Sequence, residues 1–169
     1  MASRPSELAA RLRLDDRIAL VSGAGRGIGR SVALALAGAG AEVLLMARTR
    51  DEIEQAAAQI RESGGRARAV PCDVTDAAAL AQAFAAIAGL DVLVNSAGTN
   101  IPEPFVDVTE AHLDTLVDLN VKAAFRVAQA AARKMLEAAD RKQRGGAIAN
   151  ITSQMGHVGA VNRTVYCMT

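Results

Sequence analysis

The chain has 169 residues, enough for one domain with a sizeable core. Its 19 basic and 18 acidic residues nearly cancel, which argues against a nucleic-acid surface or an anionic-membrane surface. Three Phe, one Tyr and no Trp leave no aromatic platform for stacking single strands, and Cys72 and Cys167 have neither metal-ligand nor redox spacing.

Met1 to Asp16 mixes Arg4, Glu7, Arg11, Arg13, Asp15 and Asp16 with Leu and Ala and has no apolar core of signal-peptide length. It is expected to be a flexible lead-in, 1–16, to a domain covering 17–169. The longest apolar stretch, Val32 to Ala47, is interrupted by Gly38, Gly40 and Glu42, so it reads as helix, turn and strand and not as a membrane span. The two cysteines are expected as buried thiols in a reducing compartment, and the protein as cytoplasmic.

Ile18–Ser22 is an apolar run that reads as the first strand. Gly23, Gly25, Gly27 and Gly29 follow at alternate positions, and Val32, Ala33, Leu34, Leu36 and Ala37 then take helical spacing up to Ala39. Strand, glycine turn and helix together make an anion site: the first helical N–H groups lack partners and the helix dipole favours a phosphate.

Glu42–Ala47 is the second strand. Thr49 and Glu52 form a capping-box pattern that opens a helix running to about Ser63, where Gly64-Gly65 stops it. Arg66–Cys72 is the third strand, Asp76–Ala88 a helix, and Asp91–Asn95 the fourth strand. A loop with Pro102 and Pro104 leads to Thr109, which caps one long helix reaching roughly Asp140. Arg141–Gly146 reads as a polar turn and Ala147–Ile151 as the fifth strand. Strands separated by helices require crossovers, so the fold class is α/β, a doubly wound parallel sheet of Rossmann type.

The glycine spacing is not G-x-G-x-x-G, because Ile28 stands sixth from Gly23. It is G-x-x-x-G-x-G, Gly23, Gly27 and Gly29, preceded by Ser22. This pattern resembles the cofactor loop of the short-chain dehydrogenase/reductase family, which usually has Thr where this chain has Ser22. The resemblance implies a nicotinamide dinucleotide with its pyrophosphate at Ser22, Gly23, Gly25, Arg26, Gly27, Ile28 and Gly29.

In such folds an acid about 20 residues past the glycine loop binds the adenine ribose 2′-hydroxyl. Here Ala47 stands twenty residues after Gly27, and Arg48 follows it. A carboxylate would repel a 2′-phosphate, whereas a guanidinium holds one, with Arg26 as a second cation. NADP(H) is therefore expected over NAD(H). Asp73-Val74 matches the family pair beside the adenine. Asn95-Ser96-Ala97-Gly98 resembles the family's Asn-Asn-Ala-Gly, which leaves Asn95, Ala97 and Gly98 as further cofactor residues.

Asn120, in Leu119-Asn120-Val121, matches the family Asn that sits in a helix kink and binds a relay water. Ser153 and Tyr166, thirteen residues apart, match the pair that hydrogen-bonds the substrate oxygen and transfers its proton. Hydride reaching a carbonyl carbon builds negative charge on oxygen, which two hydroxyls stabilise and one protonates. Of the histidines, His112 reads as a surface residue and His157 as a loop residue.

A free phenol titrates near pH 10, so the family places a lysine four residues after its tyrosine. The chain reads Tyr166-Cys167-Met168-Thr169, one residue short of that place. The resemblance thus covers nearly all of the chain and about two-thirds of a family member. It implies an incomplete dinucleotide-binding domain lacking the C-terminal strands, inert by itself and poorly soluble. An unpaired edge on the fifth strand and apolar exposure near Phe125 and Val127 are expected to cause the poor solubility.

The activity implied is a 3-oxoacyl-carrier-protein reductase-like ketoreductase. A sugar or polyol dehydrogenase and an inactive dinucleotide-binding protein are the alternatives. Partners implied are a small carbonyl or alcohol substrate and, in the full-length form, further copies of the same chain; no metal is implied.

Overall fold

A computed structural model describes residues 12–169. Most of the proposed lead-in, residues 1–11, lies outside the described residues. Leu14 is not loose: its N–H donates to Ala39 O at 2.8 Å, and its side chain packs against the core.

Five parallel strands, β1 (Ile18–Ser22), β2 (Glu42–Ala47), β3 (Arg66–Pro71), β4 (Val92–Asn95) and β5 (Ala147–Asn150), stand in the order β3-β2-β1-β4-β5. The order reverses between β1 and β4, and in such sheets ligands bind in the crevice at that switch point, outside the carboxyl ends. The central strands β1, β2 and β4 carry apolar side chains on both faces, as a sheet covered on both sides requires. On one face Leu20, Leu44, Met46 and Leu93 pack with Leu80, Phe84, Val127, Ala131 and Met135. On the other, Val21, Val43, Leu45 and Val94 pack with Ala33, Ile53, Ala56 and Ile60.

Those partners come from helices α1 (Gly27–Gly38), α2 (Arg50–Glu62) and α3 (Ala77–Ala85), and from a long segment after β4. That segment is not the single α-helix expected from its spacing. It consists of α4 (Glu110–Leu116), a π-helical stretch Val117–Ala123 and α5 (Ala124–Leu136). A π turn inserts one extra residue, and Asn120 sits in its middle. The expected polar turn likewise contains a short helix, α6 (Arg141–Arg144), and the described chain ends in α7 (Thr164–Met168).

α6 exists because Asp91 holds it. The buried carboxylate accepts from Ile18 N (2.9 Å), Arg141 Nη1 (3.2 Å) and Arg144 Nε and Nη2 (2.6 and 2.9 Å). Burial alone would raise the Asp91 pKa. The arginines and the Ile18 N–H outweigh burial and hold it well below the usual carboxylate range. The cluster clamps the amino ends of β1 and β4 to the approach to β5, where Ala147 N donates to Asp91 O at 3.0 Å.

Among the described residues β5 pairs with β4 alone, at the edge of the sheet, and all four of its residues are exposed. The exposure expected near Phe125 and Val127 divides. Phe125 is 65% exposed, but Val127 is fully buried, because Val127, Ala131 and Met135 form the i, i+4, i+8 stripe that α5 presents to the sheet. Cys72 is buried as expected, whereas Cys167 on α7 is only half-buried.

Candidate functional site

The glycine turn closes on itself and on the loop after β4. Gly23 has φ +66°, and a Cβ there would stand 2.9 Å from the backbone N and Cα of Ala97. Gly29 presses on the carbonyl group of Gly23, where a Cβ would lie 2.9 Å from the carbonyl carbon. Ala24 N donates to Met46 O at 3.2 Å and fastens the turn to the end of β2.

α1 then starts without help from side chains. Its N-cap, Arg26, is extended and makes no side-chain cap, and its first turn contains no acid. A Cβ on Gly27 would meet nothing within 4 Å, so the space outside the turn is open. Uncapped N–H groups facing open space, with Arg26 exposed beside them, fit a pyrophosphate. Ile28 is 63% exposed in the same turn.

Ser22 and Asn95 play a different part from the open turn: both are buried and their side chains are occupied. Ser22 Oγ donates to Asn95 Oδ1 (2.8 Å) and accepts from Ser96 N (3.0 Å) and Ala97 N (3.2 Å). Asn95 Nδ2 donates to Ala124 O at 2.8 Å, where the π stretch passes into α5. One small network thus sets the distance between the β1 and β4 loops, and leaves the backbone of Ala97 and Gly98 to border the crevice.

Arg48 stands exposed just past β2. At the end of β3, Asp73 Oδ1 accepts from Thr75 N (2.9 Å) and Thr75 Oγ1 (2.7 Å), while Val74 is buried. Partial burial pushes the Asp73 pKa up. The two Thr75 bonds and the Arg48 charge push it further down, and the result lies below the ordinary value. The ends of β2 and β3 therefore share one electrostatic neighbourhood.

Asn120 is fixed by the strand-four loop. Its Oδ1 accepts from Thr99 N and its Nδ2 donates to Thr99 O, each at 2.9 Å. Nδ2 also reaches Thr169 Oγ1 at 3.0 Å, and that hydroxyl lies 3.4 Å from Tyr166 O. Asn120 is so joined to the turn that carries Tyr166. Ser153 Oγ accepts from Met155 N at 3.2 Å and caps the turn after β5. Ser153 and Tyr166 are both half-buried and share no hydrogen bond.

Sequence reasoning missed three features here. Thr99 is the partner of Asn120; a polar Asn amid an apolar helical run signals a backbone partner without naming it. His112, read as a surface residue, is half-buried, and its Nδ1 lies 2.9 Å from Glu103 Oε2, which ties α4 to the loop after β4. Glu52 does not close a capping box. Thr49 makes no side-chain cap, and the Glu52 side chain lies over Gly25, so that a Cβ on Gly25 would come within 3.0 Å of Glu52 Cβ. No residue pattern along the chain reports that contact, because it forms between two crossovers.

The comparisons with known proteins agree with this geometry. A family model described as short chain dehydrogenase matches residues 17–169. L-xylulose reductase of Mus musculus is 40% identical over 160 residues, which is 94% of this chain and 62% of that protein. D-threitol dehydrogenase of Mycolicibacterium smegmatis is 36% identical over 159 residues, 92% of this chain and 59% of that protein. A Beutenbergia cavernae structure, named as a candidate NAD(P)-dependent gluconate 5-dehydrogenase with NADP bound at low occupancy, superposes with a TM-score of 0.84. It is 34% identical, over 93% of this chain and 62% of that one. The chain spans about 62% of the length of the first of these relatives. The glycine turn, the β4 loop and the match over 17–169 lead to one conclusion: the chain belongs to the short-chain dehydrogenase family.

Proposed function

We propose that the protein containing this chain is an NADP(H)-dependent oxidoreductase that interconverts a sugar or polyol hydroxyl and the corresponding carbonyl. The observation that carries the cofactor part is the open, uncapped start of α1 within a turn that only glycine can form, with Arg48 exposed at the end of β2. The uncapped N–H groups would take the pyrophosphate, and Arg48 with Arg26 would favour a 2′-phosphate. Relatives named L-xylulose reductase and D-threitol dehydrogenase favour the polyol reading over the 3-oxoacyl-carrier-protein reductase-like reading expected first.

When bound, the dinucleotide supplies or accepts the hydride. The chain's own residues manage the oxygen and the proton. Ser153 Oγ donates to the substrate oxygen and holds it as charge builds there. Tyr166 gives its phenolic proton to that oxygen in reduction and takes it back in oxidation. Asn120, pinned to Thr99, anchors the turn of α7 that presents Tyr166. The exposed Val121 and Phe125 support a role for the helix around α5 in association with a second copy.

The test is turnover by the protein that carries these residues, with NADPH and either a ketose or a 3-oxoacyl thioester. The ketose should be reduced much faster, and Tyr166→Phe should remove nearly all of that rate while leaving NADPH binding intact. Exclusive turnover of the thioester would contradict the polyol reading. NADPH binding with neither substrate turned over would favour a dinucleotide-binding protein without catalysis.

A further inference from the structure

We propose that Glu52 is a specificity-determining residue that, from its place over Gly25 of the glycine turn, limits the preference for NADP(H). The proposal rests on the dinucleotide reading above and goes beyond it by naming a residue that works against the phosphate.

Three segments meet here. The glycine turn is bonded to the end of β2 through Ala24 N and Met46 O. Arg48 stands just beyond β2, and α2 begins two residues later. From the first turn of α2 the Glu52 side chain lies over Gly25, with its carboxyl carbon 3.4 Å from where a Gly25 Cβ would be. Gly25 leaves the room that this carboxylate occupies. Among the described residues Glu52 has no hydrogen-bond or ion-pair partner, unlike Asp73, which binds Thr75, and Asp91, which binds arginines.

Any anion spanning the turn and Arg48 therefore lies within the field of an uncompensated carboxylate. A 2′-phosphate adds close to two negative charges at that end of the ligand, whereas a 2′-hydroxyl adds none. Arg48 and Arg26 reward the phosphate and Glu52 penalises it, so the balance of these charges sets the ratio of NADPH to NADH affinity. Glu52 is not needed to complement the α2 dipole, because Asp51 stands exposed in the same first turn.

The experiment is calorimetric titration of the protein that carries this chain with NADPH and NADH, for the wild type, Glu52→Gln and Glu52→Asp, at low and high salt. Glu52→Gln should tighten NADPH by about five- to tenfold and change NADH by less than about twofold, the size of one partly screened charge contact. The gain should shrink at about 1 M salt, which a merely structural effect would not do. Glu52→Asp keeps the charge and should keep the wild-type ratio, with circular dichroism checking the fold of each variant. A Glu52→Gln variant that shifts both cofactors equally, or weakens NADPH selectively, overturns the role of Glu52 while the dinucleotide reading stands. A wild type that binds neither cofactor overturns that reading, and this proposal with it.

Discussion

Asn120 and Thr99 grip each other as a side chain grips a strand: Oδ1 accepts from the Thr99 N–H and Nδ2 donates to the Thr99 carbonyl, both at 2.9 Å. Only an amide side chain offers a donor and an acceptor in that spacing. The pair holds the π-helical stretch against the loop after β4 and links both to the turn of Tyr166 through Thr169.

Asn120→Asp should therefore be worse than its small change in shape suggests. A carboxylate cannot donate to the Thr99 carbonyl, and two oxygens would face each other in a half-buried place. The expected loss is about 1–3 kcal/mol, read as a lower urea midpoint with little change in slope. An unchanged midpoint would show that the clasp does not contribute to stability.

Ser22→Ala should destabilise by about 1–3 kcal/mol, because the change leaves the N–H groups of Ser96 and Ala97 and the Oδ1 of Asn95 without their partner. Ser22→Thr retains the hydroxyl and should restore most of that loss. Thermal melts of the three proteins check it, and a Thr variant as weak as the Ala variant would contradict the hydroxyl's role.

Asp91→Ala should cost about 3 kcal/mol, since it removes the buried carboxylate that Arg141, Arg144 and the Ile18 N–H all bond. The native pKa is depressed, so the unfolded state binds the proton more readily. The stabilisation is then complete above the unfolded carboxylate pKa of about 4 and is lost as the pH falls below it toward the native value. The gap between wild-type and Asp91→Ala urea midpoints should be wide at neutral pH and narrow in acid. A gap independent of pH would contradict the ionic account.

Arg48→Ala should weaken NADPH by about 1.5–3 kcal/mol and NADH much less, as expected for loss of a charged hydrogen bond. Equal losses in parallel titrations would remove Arg48 from the specificity argument.

Most of the strands were legible because they are short apolar runs between glycines or polar turns, whereas β3 alternates Arg with Ala before Val70. Ile18–Ser22 and Glu42–Ala47 have the ends expected of them, and β3, β4 and β5 are each one residue shorter. The glycine turn was legible for the same local reason. The π stretch was not, because Leu113, Leu116, Leu119 and Ala123 keep a helical rhythm that conceals an inserted residue. The Asp91 cluster was hidden by separation: its arginines lie 50 and 53 residues away and read as a solvated turn. Thr49 and Glu52 have the spacing of a capping box, yet Glu52 lies against Gly25 of another crossover. Local patterns predicted the elements, and contacts between crossovers decided which side chains reach the site.

The central claim is that the turn from Gly23 to Gly29 holds a dinucleotide by its backbone. Its most direct measurement is calorimetric titration of NADPH into the protein that carries this chain and into its Gly23→Ala variant, which would force a Cβ against the Ala97 backbone at positive φ. The account predicts saturable binding of one NADPH per chain and its loss in the variant, with circular dichroism showing that the helices remain. A wild type that shows no saturable binding, or a folded Gly23→Ala that binds NADPH as well as the wild type, would contradict it.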